Sequence, residues 1–298
     1  MAQDIFIGVD GSATKSRVRI EDETGKLLGQ AVGGPANIRI SVEGSWQSIY
    51  QALEDVLKPQ RISLHDKNYH FHVGMGLAGW EVAEARRNYL NHSHPFTSIQ
   101  LMSDAHTACL GAHNGEDGAI IVVGTSVVGY QIEVENTTKV GGWGFPHDDE
   151  GGGAWLGLEA VRLTFQWLDH RIEKCPLVED VFAYFNHDLE HFAAWVNRAG
   201  SDDFARLAPI VINHGQQEEP AAVRILKKSA HAINRIATGL EKTQKNRDKL
   251  LPCCLFGGIA PFIEPWLDEE LRARLVSRKA DANKGAILMI RNKNKAQR

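Results

Sequence analysis

The sequence predicts an α/β protein with two similar domains, and two observations support this. Two segments, starting at Ile5 and at Ala119, share one layout: a buried apolar strand, a turn of small residues, a second strand and a third. Helical patterns separate and follow these segments, so strands and helices alternate along the chain. We expect domains at 1–113 and 114–298, with the last helix packing back on the first domain.

The composition excludes several classes of protein. The 298 residues are 43% hydrophobic and 23% charged, which is enough apolar material for a large core. A net charge of −4 provides no basic field, so we expect no nucleic-acid partner. Apolar runs are only strand-sized and the first residues do not resemble an export signal, so we expect no membrane association and a cytoplasmic location.

The first candidate site is a hairpin turn after the strand at residues 5–9. Its polar and small residues are Asp10, Gly11, Ser12, Thr14 and Lys15. A carboxylate at a strand end can hold hydrated Mg²⁺, while nearby N–H groups, a hydroxyl and an ammonium group can bind phosphate. The alternative is an ordinary hairpin turn.

Helical periodicity and strand patterns mark the other elements. Apolar residues recur every three or four positions in Val42–Leu57, in residues 158–168 and in residues 223–240. A late strand at residues 251–256 ends in Gly257 and Gly258, and a final helix begins near Asp281.

Asp104 follows an alternating strand at residues 97–102 and opens a helix. One interpretation is a helix N-cap, because aspartate accepts hydrogen bonds from the N–H groups of a first helical turn. The other is a general base that removes the proton from an attacking hydroxyl group. The two roles do not exclude each other.

A second loop of small residues follows the strand at residues 119–123, and it consists of Gly124, Thr125 and Ser126. Glycine turns after strands are common, so this signal alone is weak. Its occurrence at the same place in both repeated segments strengthens the interpretation of both as phosphate loops, since such turns present consecutive N–H groups. The pair suggests two domains that face one cleft.

A glycine-rich segment at residues 141–153 contains three consecutive carboxylates and a tryptophan. An indole stacks on the C–H faces of sugars, carboxylates accept hydrogen bonds from hydroxyls, and glycines let the backbone approach a ligand. The alternative is a flexible surface loop. Asn37 is a further candidate sugar ligand, and its alternative is an Asx-turn. The candidate ligands of the segment itself are Gly142, Trp143, Asp149 and Glu150.

These motifs, in their order, resemble the N-acetylglucosamine kinase and glucosamine kinase group, which is related to the BadF/BadG/BcrA/BcrD ATPase family. The resemblance covers nearly the whole chain. It implies two actin-like (ribonuclease H-like) domains with a cleft between them. It also implies transfer of the γ-phosphoryl group of Mg·ATP to a hexosamine hydroxyl, the 6-hydroxyl of glucosamine or N-acetylglucosamine. The motifs are residues 10–15, 74–79, 103–105, 124–125, 142–151 and 255–260.

The resemblance implies a role for each candidate residue. Asp104 orients and deprotonates the sugar hydroxyl, and Asp10 organises Mg²⁺ through water. Asp148 or Glu150 could pair with an ammonium group, so we expect both sugars to bind and glucosamine to be modestly preferred. The remaining roles are phosphate binding by Thr14, Thr125 and Ser126, sugar binding by Asn37, Trp143 and Asp149, and adenosine packing by Gly257 and Gly258.

The resemblance also sets the expected cofactors and partners. ATP and Mg²⁺ are the cofactors, a small-molecule amino sugar is the partner, and a homodimer is the candidate assembly.

Two departures from the family pattern leave alternatives open. Ser12 and Ala13 replace two glycines of the first loop, and Ser126 and Val127 replace a Gly-Ser pair in the second. A Cβ at such positions can block the approach of the backbone to phosphate, so one alternative is a non-catalytic, kinase-like sugar sensor. The other is an iron–sulfur dehydratase-activating ATPase, for which Cys109 is the suggestive cysteine.

Overall fold

A computed structural model describes residues 2–134, 136–246 and 248–296 of the chain. It contains two compact units, each with its own sheet and hydrophobic core. The first unit comprises Met1–Gly118, Ile132–Asn136 and Ser277–Arg298, and the second comprises Ala119–Gln131 and Thr137–Val276. The domain limits expected from the sequence, 1–113 and 114–298, stay a prediction.

The first unit is built on a five-stranded sheet in the order β3-β2-β1-β4-β5. Strand β2 pairs antiparallel with both β1 and β3. Strand β4 pairs parallel with both β1 and β5. The carboxyl ends of these three parallel strands therefore lie at one edge of the sheet. The strands are β1 (Gln3–Gly11), β2 (Ser16–Asp22), β3 (Leu27–Gly33), β4 (Tyr69–Leu77) and β5 (Ser98–Met102).

Helices pack against this sheet. The predicted helix Val42–Leu57 is confirmed as α1, whose N-cap Ser41 accepts a hydrogen bond from Gly44 N at 2.9 Å. It buries an apolar stripe that includes Trp46 and packs against β2 and β3. The others are α2 (Ala83–Leu90) and α3 (Asp104–Ala112).

The last helix of the chain, α12 (Ala282–Ala296), also packs in the first unit, on β1, β4 and α3. Its backbone approaches β1 closely: a Cβ added to Gly8 would lie 2.0 Å from the carbonyl oxygen of Asn283. Apolar residues Ile287 and Ile290 of α12 pack on Phe6.

An ionic cluster fastens α12 to β2. The side chain of Glu21 is fully buried, with an exposed fraction of 0%. Lys284 Nζ lies 2.8 Å from both of its carboxylate oxygens, and Arg19 Nε lies 2.7 Å from one of them. Such a buried carboxylate needs these cations, because an unpaired charge is costly in the protein interior.

The second unit contains a four-stranded sheet in the order β8-β7-β6-β9, in which β6 and β9 run parallel. Several helices lie between β8 and β9 along the chain. The strands are β6 (Gly118–Val123), β7 (Val127–Glu133), β8 (Asn136–Gly141) and β9 (Cys253–Phe256). The helices are α4 (Gly153–Leu168), α5 (Pro176–Tyr184), α6 (Leu189–Val196), α7 (Ser201–Ala205), α8 (Ala208–Gln216), α9 (Pro220–Thr243), α10 (Ala260–Ile263) and α11 (Glu269–Ala273).

The long helix α9 confirms the apolar stripe predicted for residues 223–240. Its buried residues include Ile225, Ile233 and Leu240, and Glu219 caps its first turn by accepting a hydrogen bond from Ala222 N at 2.7 Å. None of the helices in the described ranges is both long enough and apolar enough to span a bilayer.

Candidate active site

The predicted site residues fall into two groups, one in each unit. Most members of each group follow the carboxyl end of a parallel strand, where the chain leaves the sheet, whereas Asn37 follows β3 and the residues at 142–150 follow β8. The first unit holds Asp10, Gly11, Ser12, Thr14, Lys15, Asn37 and Asp104. The second unit holds Gly124, Thr125, Ser126, Gly142, Trp143, Asp149, Glu150, Gly257 and Gly258.

The first loop joins β1 to β2. Ser12 N and Ser12 Oγ donate hydrogen bonds to Lys15 O at 2.9 and 3.0 Å, which closes the turn. The N–H groups of Ala13, Thr14 and Lys15 donate no hydrogen bond within the described residues, and their side chains are exposed. Three consecutive open N–H groups make this turn suitable for an anion.

The substitutions in this loop do not disturb its backbone. Residues with positive φ favour glycine, but neither Ser12 nor Ala13 is among the positive-φ residues of the described chain. The turn therefore forms without the glycines of the family pattern, and its N–H groups stay open.

Asp10 lies at the end of β1, directly across from Arg17 of β2. Arg17 Nη1 is 3.3 Å from Asp10 Oδ2. Burial raises the pKa of the Asp10 carboxyl, and the Arg17 guanidinium partly opposes this effect. The sequence analysis missed Arg17, although the alternation of the hairpin strands contains the signal: a four-residue turn places Asp10 and Arg17 opposite each other.

Asp104 is the first residue of α3. The interpretation of Asp104 as the N-cap is wrong, because Ser103 is the cap and its Oγ accepts a hydrogen bond from His106 N at 3.2 Å. Asp104 Oδ1 accepts a hydrogen bond from Ala105 N at 2.8 Å. Burial raises the pKa of Asp104, and the carboxylates of Glu81 and Asp10 raise it further. The structure thus brings Asp104 and Asp10 within electrostatic reach of each other.

Asn37 lies beside the same edge of the first sheet. It bridges to Ala78, whose N–H donates to Gly11 O at 2.9 Å. The side-chain oxygen of Asn37 accepts a hydrogen bond from Arg39 N at 3.0 Å, which is the predicted Asx-turn. Its amide nitrogen donates no hydrogen bond to the described residues, so one polar group remains for a ligand.

The second loop joins β6 to β7, and its carbonyl oxygens are all occupied. Gly124 N donates to Ser126 O at 2.9 Å, while Gly153 N donates to Gly124 O at 2.7 Å and Ala154 N donates to Thr125 O at 3.1 Å. Across the described ranges, the N–H groups of Thr125 and Ser126 find no acceptor, and both residues are exposed. This loop, like the first, presents open N–H groups.

Val127 does not obstruct the second loop. It is fully buried in the core of the second unit, with an exposed fraction of 0%. Its side chain therefore points into the core and not toward solvent, where a phosphate would bind.

In the segment at residues 141–153, Trp143 is 82% exposed, which suits stacking on a ligand. The segment is held by hydrogen bonds, since Trp143 N donates to Asp148 Oδ2 at 2.9 Å and Lys139 Nζ donates to Gly142 O at 3.2 Å. Lys139 Nζ also lies 5.6 Å from the Trp143 ring centroid, within the range of a cation–π contact. Sequence analysis missed Lys139.

The other two carboxylates of the segment differ in their surroundings. Asp149 is only 4% exposed, has a φ of 65°, and accepts a hydrogen bond from Val127 N at 3.3 Å. Burial raises its pKa, and the Val127 N–H opposes this. Glu150 is exposed, with one carboxylate oxygen 3.9 Å from Arg235 Nη1.

Gly257 and Gly258 follow β9 and lie against the end of β6. Ile259 N donates to Val123 O at 3.1 Å. Gly257 has a φ of 100°, and a Cβ there would lie 2.1 Å from Val123 O. Only glycine fits this position, which places the expected adenosine motif beside the residue that precedes Gly124.

The cysteines do not favour an iron–sulfur protein. Cys109, Cys253 and Cys254 are buried, and the Cys109 thiol donates a hydrogen bond to Gly118 O at 3.3 Å. Burial raises the pKa of the Cys253 thiol to about 12. In the part of the chain that the structure describes, no three His, Cys, Asp or Glu side chains are grouped to hold a metal ion.

Comparisons with known proteins agree with these features. A family model described as the BadF/BadG/BcrA/BcrD ATPase family matches residues 7–287. The chain is 34% identical over 283 residues to a glucosamine kinase of Vibrio cholerae, covering 95% of this chain and 94% of that protein. It is 24% identical over 302 residues to an N-acetylmuramic acid/N-acetylglucosamine kinase of Clostridium acetobutylicum, covering 96% and 98%.

A solved structure shows the same fold over the full length. The Chromobacterium violaceum protein described as an N-acetylglucosamine kinase superposes with a TM-score of 0.84 at 31% identity, covering 96% of this chain and 98% of that chain. The predicted α/β class with two actin-like domains is confirmed. Since the family model spans most of the chain and the identities extend over its length, the chain belongs to the BadF/BadG/BcrA/BcrD ATPase family.

Proposed function

We propose that this protein is an ATP-dependent hexosamine kinase that transfers the γ-phosphoryl group of ATP to the 6-hydroxyl of glucosamine or N-acetylglucosamine. The observation that carries the proposal is the pair of loops with open, consecutive N–H groups, one at the end of β1 and one at the end of β6. Each loop, taken by itself, suits a phosphate group. The names of the relatives support an amino sugar as the acceptor.

Asp104 is the proposed general base. Its raised pKa strengthens the carboxylate as a proton acceptor, and its place at the start of α3 leaves helix capping to Ser103. In the proposed reaction, Asp104 orients the sugar hydroxyl and accepts its proton as the hydroxyl oxygen attacks the γ-phosphorus. ADP leaves with the electron pair of the broken P–O bond.

Mg²⁺ fits the residues of the first unit. Protein-bound Mg²⁺ keeps several waters and takes one or two carboxylates with the phosphates of its nucleotide. Asp10 is a carboxylate at a sheet edge, next to the open N–H groups of the first loop, and it suits this mode better than a full cage of protein ligands. When bound, Mg²⁺ would neutralise charge on the β- and γ-phosphates.

The phosphates and adenosine are assigned to the loops. Thr14 and Lys15 supply a hydroxyl and a cation in the first loop, and Thr125 and Ser126 supply N–H groups in the second. Gly257 and Gly258 form the proposed surface for adenosine, because their backbone lies against the end of β6 without a side chain.

The sugar is assigned to Asn37, Trp143, Asp149 and Glu150, with Gly142 allowing close approach of the backbone. Asn37 offers a free amide nitrogen and Trp143 an exposed ring. We propose that both hexosamines bind and that glucosamine is modestly preferred, because Asp148, which contacts Trp143 N, and the exposed Glu150 of the same segment are carboxylates able to pair with an ammonium group. The homodimer and the cytoplasmic location stay predictions.

An assay of ADP release tests the proposal. Purified protein with Mg·ATP is offered glucosamine, N-acetylglucosamine, glucose or no sugar near neutral pH. We expect ADP only with an amino sugar, and a kcat/KM for glucosamine up to about tenfold higher, which corresponds to ~1.4 kcal/mol. Equal ADP release with and without every sugar would contradict the kinase assignment. An advantage of about tenfold for N-acetylglucosamine would contradict only the sugar preference.

A further inference from the structure

The second phosphate loop is attached to the residues that begin α4. Backbone N–H groups of Gly153 and Ala154 bind the carbonyl oxygens of Gly124 and Thr125, at 2.7 and 3.1 Å. Those carbonyl oxygens consequently point toward α4. The N–H groups of Thr125 and Ser126 take no part in these contacts and stay open. Two backbone contacts hold the first half of the loop in this way.

The second half of the loop depends on a side chain. Val127 N, which follows the two open N–H groups, donates to Asp149 Oδ1 at 3.3 Å. Within the described residues, Asp149 is the one side chain that accepts a hydrogen bond from the backbone of this loop. Since Val127 is buried, its N–H would have no water to replace that acceptor.

Asp149 is itself held firmly in place. It is 4% exposed and has a left-handed backbone, with a φ of 65°. Gly152 N donates to Asp149 O at 3.1 Å and closes the turn that leads into α4. Its carboxylate is therefore a fixed acceptor, positioned by the same turn that starts the helix.

We propose that Asp149 is a positioning residue for the second phosphate loop, in addition to its assigned contact with sugar. Through Val127 it holds the N–H groups of Thr125 and Ser126 in the orientation that receives phosphate. Nucleotide affinity then depends on Asp149 even when no sugar is present. This inference rests on the proposed function, because it assumes that the loop binds nucleotide phosphate.

Substitutions at one position separate the two roles. Asp149→Asn keeps an oxygen acceptor and tolerates the left-handed backbone, whereas Asp149→Gly tolerates the backbone but removes the acceptor. Asp202→Asn is the matched control, since it removes an exposed charge of α7 in the same unit and lies outside the proposed sites. The measurement is the Kd of Mg·ADP by calorimetry in the absence of sugar.

We expect Asp149→Gly to weaken Mg·ADP binding by about tenfold, the usual scale for losing a buried hydrogen bond. The Kd of Mg·ADP should stay within about threefold of the wild-type value in Asp149→Asn and in Asp202→Asn. A residue that contacts only sugar would raise the sugar KM in both Asp149 variants and leave the Kd of Mg·ADP unchanged in both.

The outcomes distinguish this inference from the proposed function. If the wild type binds Mg·ADP and Asp149→Gly binds it equally well, Asp149 does not position the loop and the kinase proposal is unaffected. If the wild type does not bind Mg·ADP, both proposals fail. A thermal melt checks each variant. Where Asp149→Gly does not melt cooperatively, Asp149→Ser, whose side chain is one bond shorter than that of aspartate, is judged by the same criterion.

Discussion

At the scale of single residues, the surroundings of Asp104 set its chemistry. The carboxyl is largely removed from water at the start of α3, and the carboxylates of Glu81 and Asp10 act on it from other elements. Both effects disfavour the ionised form and so favour uptake of a proton. A general base benefits from this, provided that it is ionised before the reaction.

Asp104→Asn should lower kcat by roughly 10²–10⁴, with little change in the KM for sugar, because asparagine keeps most ground-state hydrogen bonds but accepts no proton. Ser103 caps the helix, so the variant should fold. Steady-state kinetics with the preferred hexosamine measures the effect. A folded variant with near-normal kcat would show that Asp104 is not the base.

The same substitution should stabilise the protein near neutral pH. Burial raises the folded-state pKa of Asp104 above the ordinary value of an aspartate carboxyl, so the folded protein binds the proton more tightly than the unfolded chain. The stability that this carboxyl contributes is fully present below the pKa of the unfolded chain, and it is lost as the pH rises through the folded-state pKa. Asparagine does not ionise, so the variant does not lose stability in this way.

Thermal melts of the wild type and of Asp104→Asn at neutral and acidic pH check this. The melting temperature of the variant should be higher at neutral pH, and the difference should shrink as the pH falls toward the ordinary pKa of an aspartate carboxyl. Asp55→Asn, at an exposed position of α1, controls for the change in net charge. A variant that is less stable at both pH values would contradict the burial argument.

At the scale of secondary-structure elements, the backbone after β9 approaches the end of β6 closely at Gly257. Gly257→Ala should destabilise the second unit strongly, because the position has a φ of 100° and the new Cβ would lie 2.1 Å from Val123 O. Gly258→Ala is the matched variant, since its Cβ would meet nothing within 4 Å. We expect the second variant to melt like the wild type and to show a raised KM for ATP.

Urea denaturation and ATP kinetics of both variants test this pair. Equal stability of Gly257→Ala and the wild type would contradict the close approach of β9 to β6. A normal KM for ATP in Gly258→Ala would remove Gly258 from the adenosine site.

Local patterns were sufficient to predict some elements and not others. The helices α1 and α9 were predictable because their apolar stripes extend over several turns and begin at a cap or a proline. The helices α5 to α8 were not, because most of them contain only two turns, over which helical periodicity is hard to distinguish from chance.

Local sequence patterns likewise predicted only part of the candidate site. The loop residues could be proposed from strand ends and small residues, which are local in sequence. The contact between Asp149 and Val127 joins residues that are far apart in the chain, and no local pattern contains it. Burial of Val127 likewise depends on the core of the whole unit, so its effect on the loop at residues 124–126 could not be predicted from the sequence.

At the scale of the whole molecule, an ion pair between Glu21 and Lys284 connects β2 to α12, two elements that are far apart in the sequence. Lys284→Met should destabilise the first unit by on the order of 3 kcal/mol, because it leaves the buried Glu21 with weaker compensation. Glu21→Gln in the same chain should restore most of this stability. A double-mutant cycle by urea denaturation measures the coupling, and additive single effects would contradict it.

The position of α12 after the second unit in the chain determines when the first unit can be completed during synthesis. The strands β1 and β4 are made before the second unit, but the helix that covers Phe6 and approaches Gly8 is made after it. At about 5–20 residues per second, this face of the sheet stays uncovered for on the order of ten seconds. The first unit therefore cannot finish folding until the second unit has been made, and its apolar face is open to chaperones throughout that interval.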